Sequence, residues 1–363
     1  MERDVSFKPQ ATYFMSEKRE ITSAAALRHQ ALTFIGGNCR GSLHAWDAST
    51  NKLGSTWDLG PGKILDVGSL STSPNLLLAA SQSKGIVGVD VRCPDPLWQL
   101  ETKASQGVPY RLGLAQNSSS FIVAGTNRGY LTVWDLRFGL PVNSWMHPTG
   151  APVECVAIAP PSFVGISDRS PLVLCAAGED EISGWDPTSG VCKTVISQRA
   201  DVSETCPPFS LCQSLIDPAK PAMDPLGMAR QLGAAELRSL SSKRTEVKSI
   251  LLESSGGIIS GGKDRMIRYW KNPSESYVIA FPHPNDAFSP RCTGASYTMK
   301  RIKGVNVLVE HKKLVSEQVK SSSSSAAELV CHQQQITSLA QVCGQSESLL
   351  VSASADGVIN VWG

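Results

Sequence analysis

The sequence predicts an all-β fold made of repeated small sheets set around an axis. Three observations predict it. The first is the closing stretch, Leu349–Trp362, which reads as two strands joined at Asp356-Gly357. Leu349–Ser354 is apolar and small, and Val358–Trp362 is β-branched and aromatic. An Asp-Gly pair between such runs is a strong hairpin signal, because glycine accepts the positive φ of the turn. The second is recurrence. Aligned on Trp362, with a turn residue shortly before it, the pattern returns at Leu32–Trp46, Leu76–Asp90, Phe121–Trp134, Leu172–Trp185 and Ile258–Trp270. The third is spacing. The anchors at 46, 90, 134, 185, 270 and 362 are separated by 44, 44, 51, 85 and 92 residues.

A period of about 40–45 residues with Trp-Asp endings is the signature of WD repeats, which supply four strands to each blade of a β-propeller. One such sheet cannot bury both faces alone, and stacking the sheets hides them. The expected fold is an all-β WD-repeat β-propeller, with six recognisable repeats of a seven-bladed ring and two long insertions, forming one domain over 1–363. The two longest steps hold the insertions, 205–244 and 285–328. Thr205–Pro225 carries Pro207, Pro208, Pro218, Pro221 and Pro225, which do not fit inside a sheet, and Ser321–Ser325 is a linker-like serine run. Both insertions are expected to lie outside the blade stack.

In chain order, Gln10–Met15 is a candidate strand ahead of the first repeat. It is expected to be the outer strand of an incomplete first blade, closing the ring by pairing with Val358–Trp362. Ile21–Asp47, Ile64–Val91 and Tyr110–Arg137 are regular repeats. In the second, Asp90 stands where tryptophan is usual. Val153–Asp186 carries a longer loop at Pro160–Pro171. Within the first insertion, Asp224-Pro225 starts a short helical pattern reaching about Ser239, with Met228, Leu232 and Ala235 on one face. Val247–Tyr269 is the fifth repeat, with Tyr277–Phe281 as its outer strand. The second insertion offers strands at Ser296–Ile302 and Val305–Glu310, and Ile336–Trp362 is the last repeat.

Composition narrows the function classes. The chain is 41 % hydrophobic and 18 % charged, which is a globular balance, and its net charge of +2 gives no argument for nucleic acid. The opening Met1-Glu2-Arg3-Asp4-Val5 is polar, so no signal peptide is predicted, and no run of 18 apolar residues reads as a membrane span. Ten scattered cysteines without a C-x-x-C read as small buried apolar residues in a reducing compartment.

No residue pattern predicts catalysis, a cofactor or a metal. Gly257–Asp264 nearly spells a phosphate loop, but Asp264 replaces the final Ser/Thr and a strand, not a helix, follows. His332, Ser352, Asp356 and Trp362 stand where WD repeats place a hydrogen-bonded structural tetrad, and no other repeat has the full set. Cys331, His332 and Cys343 match no zinc spacing. Lys300, Arg301, Lys303, Lys312, Lys313 and Lys320 make the second insertion basic, which reads as a solvated loop. Trp134-Asp135-Leu136-Arg137 matches the W-D-x-R ending of propellers that dock on cullin-type ubiquitin ligases, and Val89–Arg92 half matches it. Arg137 and Phe138 are therefore candidate partner-binding residues, against a reading in which Arg137 pairs within its own blade.

Two stretches are more specific than a generic repeat. They are Trp134–Trp145, and Ile267–Trp270 with Pro273–Ile279 following. With the ending Asp356–Trp362 they resemble the C-terminal propeller of phosphoinositide 3-kinase regulatory subunit 4, plant-type, over nearly the whole chain. The resemblance implies a non-catalytic scaffold of the class III phosphatidylinositol 3-kinase complex, acting in autophagy and endosome-to-vacuole sorting. The implied partners are the catalytic lipid kinase subunit and coiled-coil Beclin-type subunits, with cytoplasmic localisation and indirect membrane association through the complex. In that family a kinase-like domain and a helical region precede the propeller, so this chain reads as a fragment beginning inside the propeller. The alternative is a substrate receptor of a cullin-type ligase.

Overall fold

The computed structural model describes residues 21–26, 33–47, 52–70, 72–115, 120–160, 171–177, 180–212, 246–253, 256–281, 292–314, 332–343 and 348–362. They form six sheets in the order of the repeats, antiparallel except for one parallel pairing in blade 4. Blade 1 is β1 (Ile21–Ala26), β2 (Thr33–Asn38), β3 (Ser42–Asp47) and β4 (Lys52–Asp58). Blade 2 is β5 (Ile64–Leu70), β6 (Ser73–Ser81), β7 (Gly85–Asp90) and β8 (Trp98–Leu100). Blade 3 is β9 (Pro109–Leu114), β10 (Phe121–Thr126), β11 (Tyr130–Asp135) and β12 (Leu140–Met146). Blade 4 begins with β13 (Cys155–Ala159), β14 (Leu172–Ala176), β15 (Glu181–Trp185) and β16 (Cys192–Ser197). Blade 5 is β17 (Val247–Leu252), β18 (Ile258–Gly262), β19 (Ile267–Trp270) and β20 (Tyr277–Ala280). A hairpin follows, β21 (Cys292–Ile302) and β22 (Val305–Leu314), and blade 6 is β23 (Ile336–Cys343), β24 (Ser348–Ser354) and β25 (Ile359–Trp362).

In blades 2 to 5 the second and third strands are apolar on both faces because each of these blades is covered on both sides. β7, β14, β15, β18 and β19 are buried along their whole length. Five hydrophobic clusters fill the gaps between successive blades. None among the described residues joins blade 6 to blade 1. The fold is a six-bladed WD-repeat propeller as far as it is described. A seventh blade is not among these residues, and Gln10–Met15, the helical pattern at Asp224–Ser239 and Ser321–Ser325 lie outside them.

Two expectations are corrected. The first concerns 285–328. Its segment 292–314 is not a loop outside the stack but a hairpin that widens blade 4 to six strands. β22 pairs in parallel with β16, Thr194 opposite Asn306 through Ser197 opposite Val309, and β21 covers β22. Alternation explains why it docks. Val307 and Val309 face the core between blades 3 and 4, while Leu308 and Tyr297 face the core between blades 4 and 5. The hairpin's basic residues are also less free than a solvated loop implies. Lys300 Nζ donates to the Val202 carbonyl, Lys303 Nζ donates to that of Leu211, and Lys312 lies 3.7 Å from Asp264.

The second correction is one of register. Asp90 does not occupy the tryptophan position of blade 2. Val89 opposite Leu77 corresponds to Trp134 opposite Ile122, and Asp90 corresponds to Asp135. Matching backbone bonds support the shift, since Val91 N donates to the Asn75 carbonyl as Leu136 N does to that of Ser120. The turns are equally long, but the positive-φ glycine sits one place later in blade 2, Gly85 four residues before Val89 where Gly129 is five before Trp134, and that displaced the alignment.

Candidate functional site

Three of the four tetrad residues meet in blade 6. His332 Nε2 lies 2.7 Å from Ser352 Oγ, and Trp362 Nε1 donates to the same oxygen at 2.9 Å. Asp356 stands 4.0 Å from His332 Nδ1, too far for a hydrogen bond. Its carboxylate instead accepts from the backbone N–H groups of Gln333, Gln334 and Val358. It therefore fixes both the turn and the loop that carries His332. Gly357 at φ +80° makes that turn available. A serine joined to a histidine and a tryptophan is a strand tie, not a nucleophile, because Ser352 is fully buried. Ser352→Ala is expected to lower stability by about 1–3 kcal/mol, leaving two buried groups short of a partner. Urea denaturation measures it, and a change of only a few tenths would show that this chain of bonds ties nothing.

Variants of the tie occur in two other blades. In blade 5, Trp270 Nε1 donates to Ser260 Oγ at 2.7 Å. In blade 4, Trp185 Nε1 donates to Ser183 Oγ at 2.8 Å, and Cys175 occupies the place corresponding to Ser352. His147 Nε2 is 3.3 Å from Ser183 Oγ and 3.1 Å from Ser210 Oγ. Ser210 brings its own anchor, because the buried Glu181 carboxylate accepts from the Phe209 and Ser210 N–H groups and from the Ser210 hydroxyl. This group has the composition of a catalytic triad without its geometry. The carboxylate bonds the serine rather than His147 Nδ1, which meets Thr149 Oγ1 at 2.8 Å.

A belt of polar contacts along the inner strands was missed in the sequence. Ser23 Oγ donates to Asp66 Oδ1 (3.1 Å), and Asp66 Oδ2 accepts from Leu112 N (2.8 Å). Arg111 Nε donates to the Glu154 carbonyl (2.9 Å), and Lys248 Nζ lies 3.1 Å from Glu154 Oε1. Ser249 Oγ accepts from Leu339 N (3.0 Å). One or more of these bonds crosses each of the five gaps between successive blades. The available signal was the recurring triplet Ile21-Thr22-Ser23, Ile64-Leu65-Asp66, Val247-Lys248-Ser249 and Ile336-Thr337-Ser338, an apolar residue two places before a polar one.

Arg137 and Phe138 lie at the turn between β11 and β12. Arg137 makes a two-pronged pair with Asp135, Nε to Oδ1 at 3.1 Å and Nη2 to Oδ2 at 2.6 Å. Arg92 repeats this with Asp90 in blade 2, and its hydrogen bonds hold the Asp90 carboxyl down to about 2. The Arg137 guanidinium lies 5.4 Å from the Phe138 ring centre, and Phe138 is 70 % exposed. Arg137 thus pairs within its own blade with its side chain 65 % exposed, while Phe138 with Leu140 and Val142 leaves apolar surface in solvent.

The phosphate-loop look-alike is a strand, a turn and a strand. Gly262 ends β18, Lys263 lies 3.6 Å from Glu246, and Asp264 accepts from Arg268. Among the described residues no group of three or more His, Cys, Asp and Glu side chains is placed to hold a metal ion. No helix among them is long and apolar enough to cross a membrane.

Comparison with known proteins agrees with this architecture. Residues 323–363 match the family model described as WD domain, G-beta repeat. A serine/threonine-protein kinase VPS15 of Arabidopsis thaliana is 29 % identical over 399 residues, covering 100 % of this chain. The chain resembles the VPS15 proteins. A probable VPS15 kinase of Dictyostelium discoideum is 27 % identical over 48 % of this chain, and VPS15 of Saccharomyces cerevisiae is 22 % identical over 79 %. The chain spans only 26 %, 10 % and 18 % of those three VPS15 proteins. The described residues form a WD-repeat propeller and include no protein-kinase domain, and the kinase region of VPS15 lies outside the matched part. A solved structure titled Crystal Structure of Mitotic Checkpoint Complex superposes with a TM-score of 0.57 over 96 % of this chain and 76 % of that one. At 14 % identity that likeness bears on the fold alone.

Proposed function

We propose that this chain is a non-catalytic interaction scaffold, the propeller of a VPS15-type regulatory subunit of the class III phosphatidylinositol 3-kinase complex. Its work would be to hold the catalytic lipid kinase subunit and coiled-coil Beclin-type subunits together in autophagy and endosome-to-vacuole sorting. It would be cytoplasmic, reaching endosomal or autophagic membranes through the complex. The observation that carries the reading is similarity to VPS15 running through the whole chain rather than through one repeat. A seven-bladed ring belongs to the same proposal, with family resemblance as its support. The rival reading, a cullin-ligase substrate receptor, rests on Arg137, whose guanidinium is already paired with Asp135.

Co-expression of the full chain with the lipid kinase and Beclin-type subunits tests the proposal. The expected result is co-elution of all three on size exclusion, unchanged by Arg137→Ala. A chain that elutes alone overturns it. Capture of a cullin adaptor, lost in a folded Arg137→Ala variant, would put the ligase reading in its place.

A further inference from the structure

The gap between blades 5 and 6 opens outward into a cavity of about 690 Å³. Its floor is the core between those blades, reached at Ile259 and Leu350. Tyr269, Tyr277 and Trp362 form aromatic walls, and Glu253 and Glu275 bring carboxylates to it. Among the described residues no lysine, arginine or histidine lines it. We propose that this cleft binds an arginine side chain carried by an extended peptide segment of a partner protein.

The volume lies within the roughly 300–1,000 Å³ of small-ligand sites. The two tyrosine rings are 5.1 Å apart and inclined at 32°, and Tyr277 is 54 % exposed, so a ring face meets solvent. Aromatic faces attract cations. Burial, then Tyr269 and Glu253, raise the Tyr277 pKa, so the phenol stays neutral. Glu275 is ionised, since Lys271 Nζ lies 2.6 Å from Oε2 and Asn272 donates to Oε1 at 2.7 Å. A guanidinium suits this arrangement better than an ammonium. It is planar and weakly hydrated, it stacks on aromatic rings, and its parallel N–H groups compete well with Lys271 for a carboxylate. The cleft is also built rather than incidental. A Cβ on Gly257 would overlap the Tyr269 ring, so the wall keeps its place only because that position is glycine.

This inference does not depend on the lipid-kinase reading, so either can fail alone. The test is fluorescence anisotropy with the full chain and blocked, labelled Gly/Ser nonapeptides bearing one central arginine, lysine, citrulline or glutamate. Saturable binding is expected for arginine, weaker binding for lysine, and none for citrulline or glutamate. Tyr277→Ala and Glu253→Gln should each weaken arginine binding about tenfold, while Tyr277→Phe retains it. Both positions line an open cleft, and unchanged circular dichroism melts verify that the variants fold. No saturable binding at millimolar peptide overturns the proposal. So does equal affinity for citrulline, or full affinity in folded Tyr277→Ala and Glu253→Gln.

Discussion

Replacing Arg268 by alanine is expected to destabilise the propeller by about 3–5 kcal/mol, the range for breaking a buried ion pair by removing one partner. Arg268 is 1 % exposed and lies on β19 of blade 5. Its Nε is 2.9 Å from Oε1 of Glu310 on the inserted hairpin, which is 0 % exposed, and its Nη2 is 2.5 Å from Asp264 Oδ2. Burial works against the guanidinium charge, but Asp264 and Glu310 outweigh it and raise the Arg268 pKa. Alanine would leave two buried carboxylates without the guanidinium between them, Asp264 keeping Lys312 at 3.7 Å and the Met266 N–H at 3.3 Å. Urea denaturation at neutral pH measures the loss. Adding Glu310→Gln to Arg268→Ala should recover part of it, because one uncompensated charge is then gone. If Arg268→Ala melts like the parent, the hairpin is not locked to blade 5 by this pair. The pair works across blades, since Glu310 belongs to the widened blade 4.

Acid is expected to weaken blade 4 through His147. Burial pushes the His147 pKa from 6.5 down to about 4. A depressed folded-state pKa means that the unfolded chain takes up the proton first. The associated stability is therefore fully present above pH 6.5 and is lost as pH falls toward about 4. A shift of this size corresponds to about 3 kcal/mol. Glu181 acts with the opposite sign. Burial raises its pKa, so its contribution is full below 4.5 and is lost as pH rises through the folded value. The comparison that isolates His147 is the parent against His147→Gln, by urea denaturation between pH 7 and 4. The parent should lose about 3 kcal/mol more than the variant over that window. Parallel curves would mean that neutral burial of His147 does not set the acid response. The cause is burial, since no water reaches the ring to solvate an imidazolium and Trp185 lies edge-on at 5.7 Å.

The blades were legible because their information is local. Trp46, Trp134, Trp185, Trp270 and Trp362 stand last or next to last in third strands, and β-branched runs flank their turns. The blade 6 tie could be read for the same reason, since its residues recur at fixed places in one repeat. The one-residue error at Asp90 shows the limit. Only the ladder opposite Leu76 and Leu77, and the likeness of the Asp90–Arg92 and Asp135–Arg137 pairs, reveal which residue takes the tryptophan place.

By itself the sequence determined six repeats, their strands, their apolar double faces and the absence of a phosphate-binding turn at Gly257–Asp264. Each follows from side-chain period and turn chemistry within a few dozen residues. Tertiary structure alone decided where the hairpin Cys292–Leu314 goes and what that creates. The Thr194 hydroxyl donates to the Asn306 carbonyl across 112 positions, and Arg268 meets Glu310 across 42. A strand's alternation states which faces it must bury but not which sheet edge will take it. That choice fell to blade 4 because its outer strand β16 offered an open ladder. The cores on either side could also take Val307 and Val309 on one face and Leu308 on the other, with Arg268 waiting for the Glu310 carboxylate.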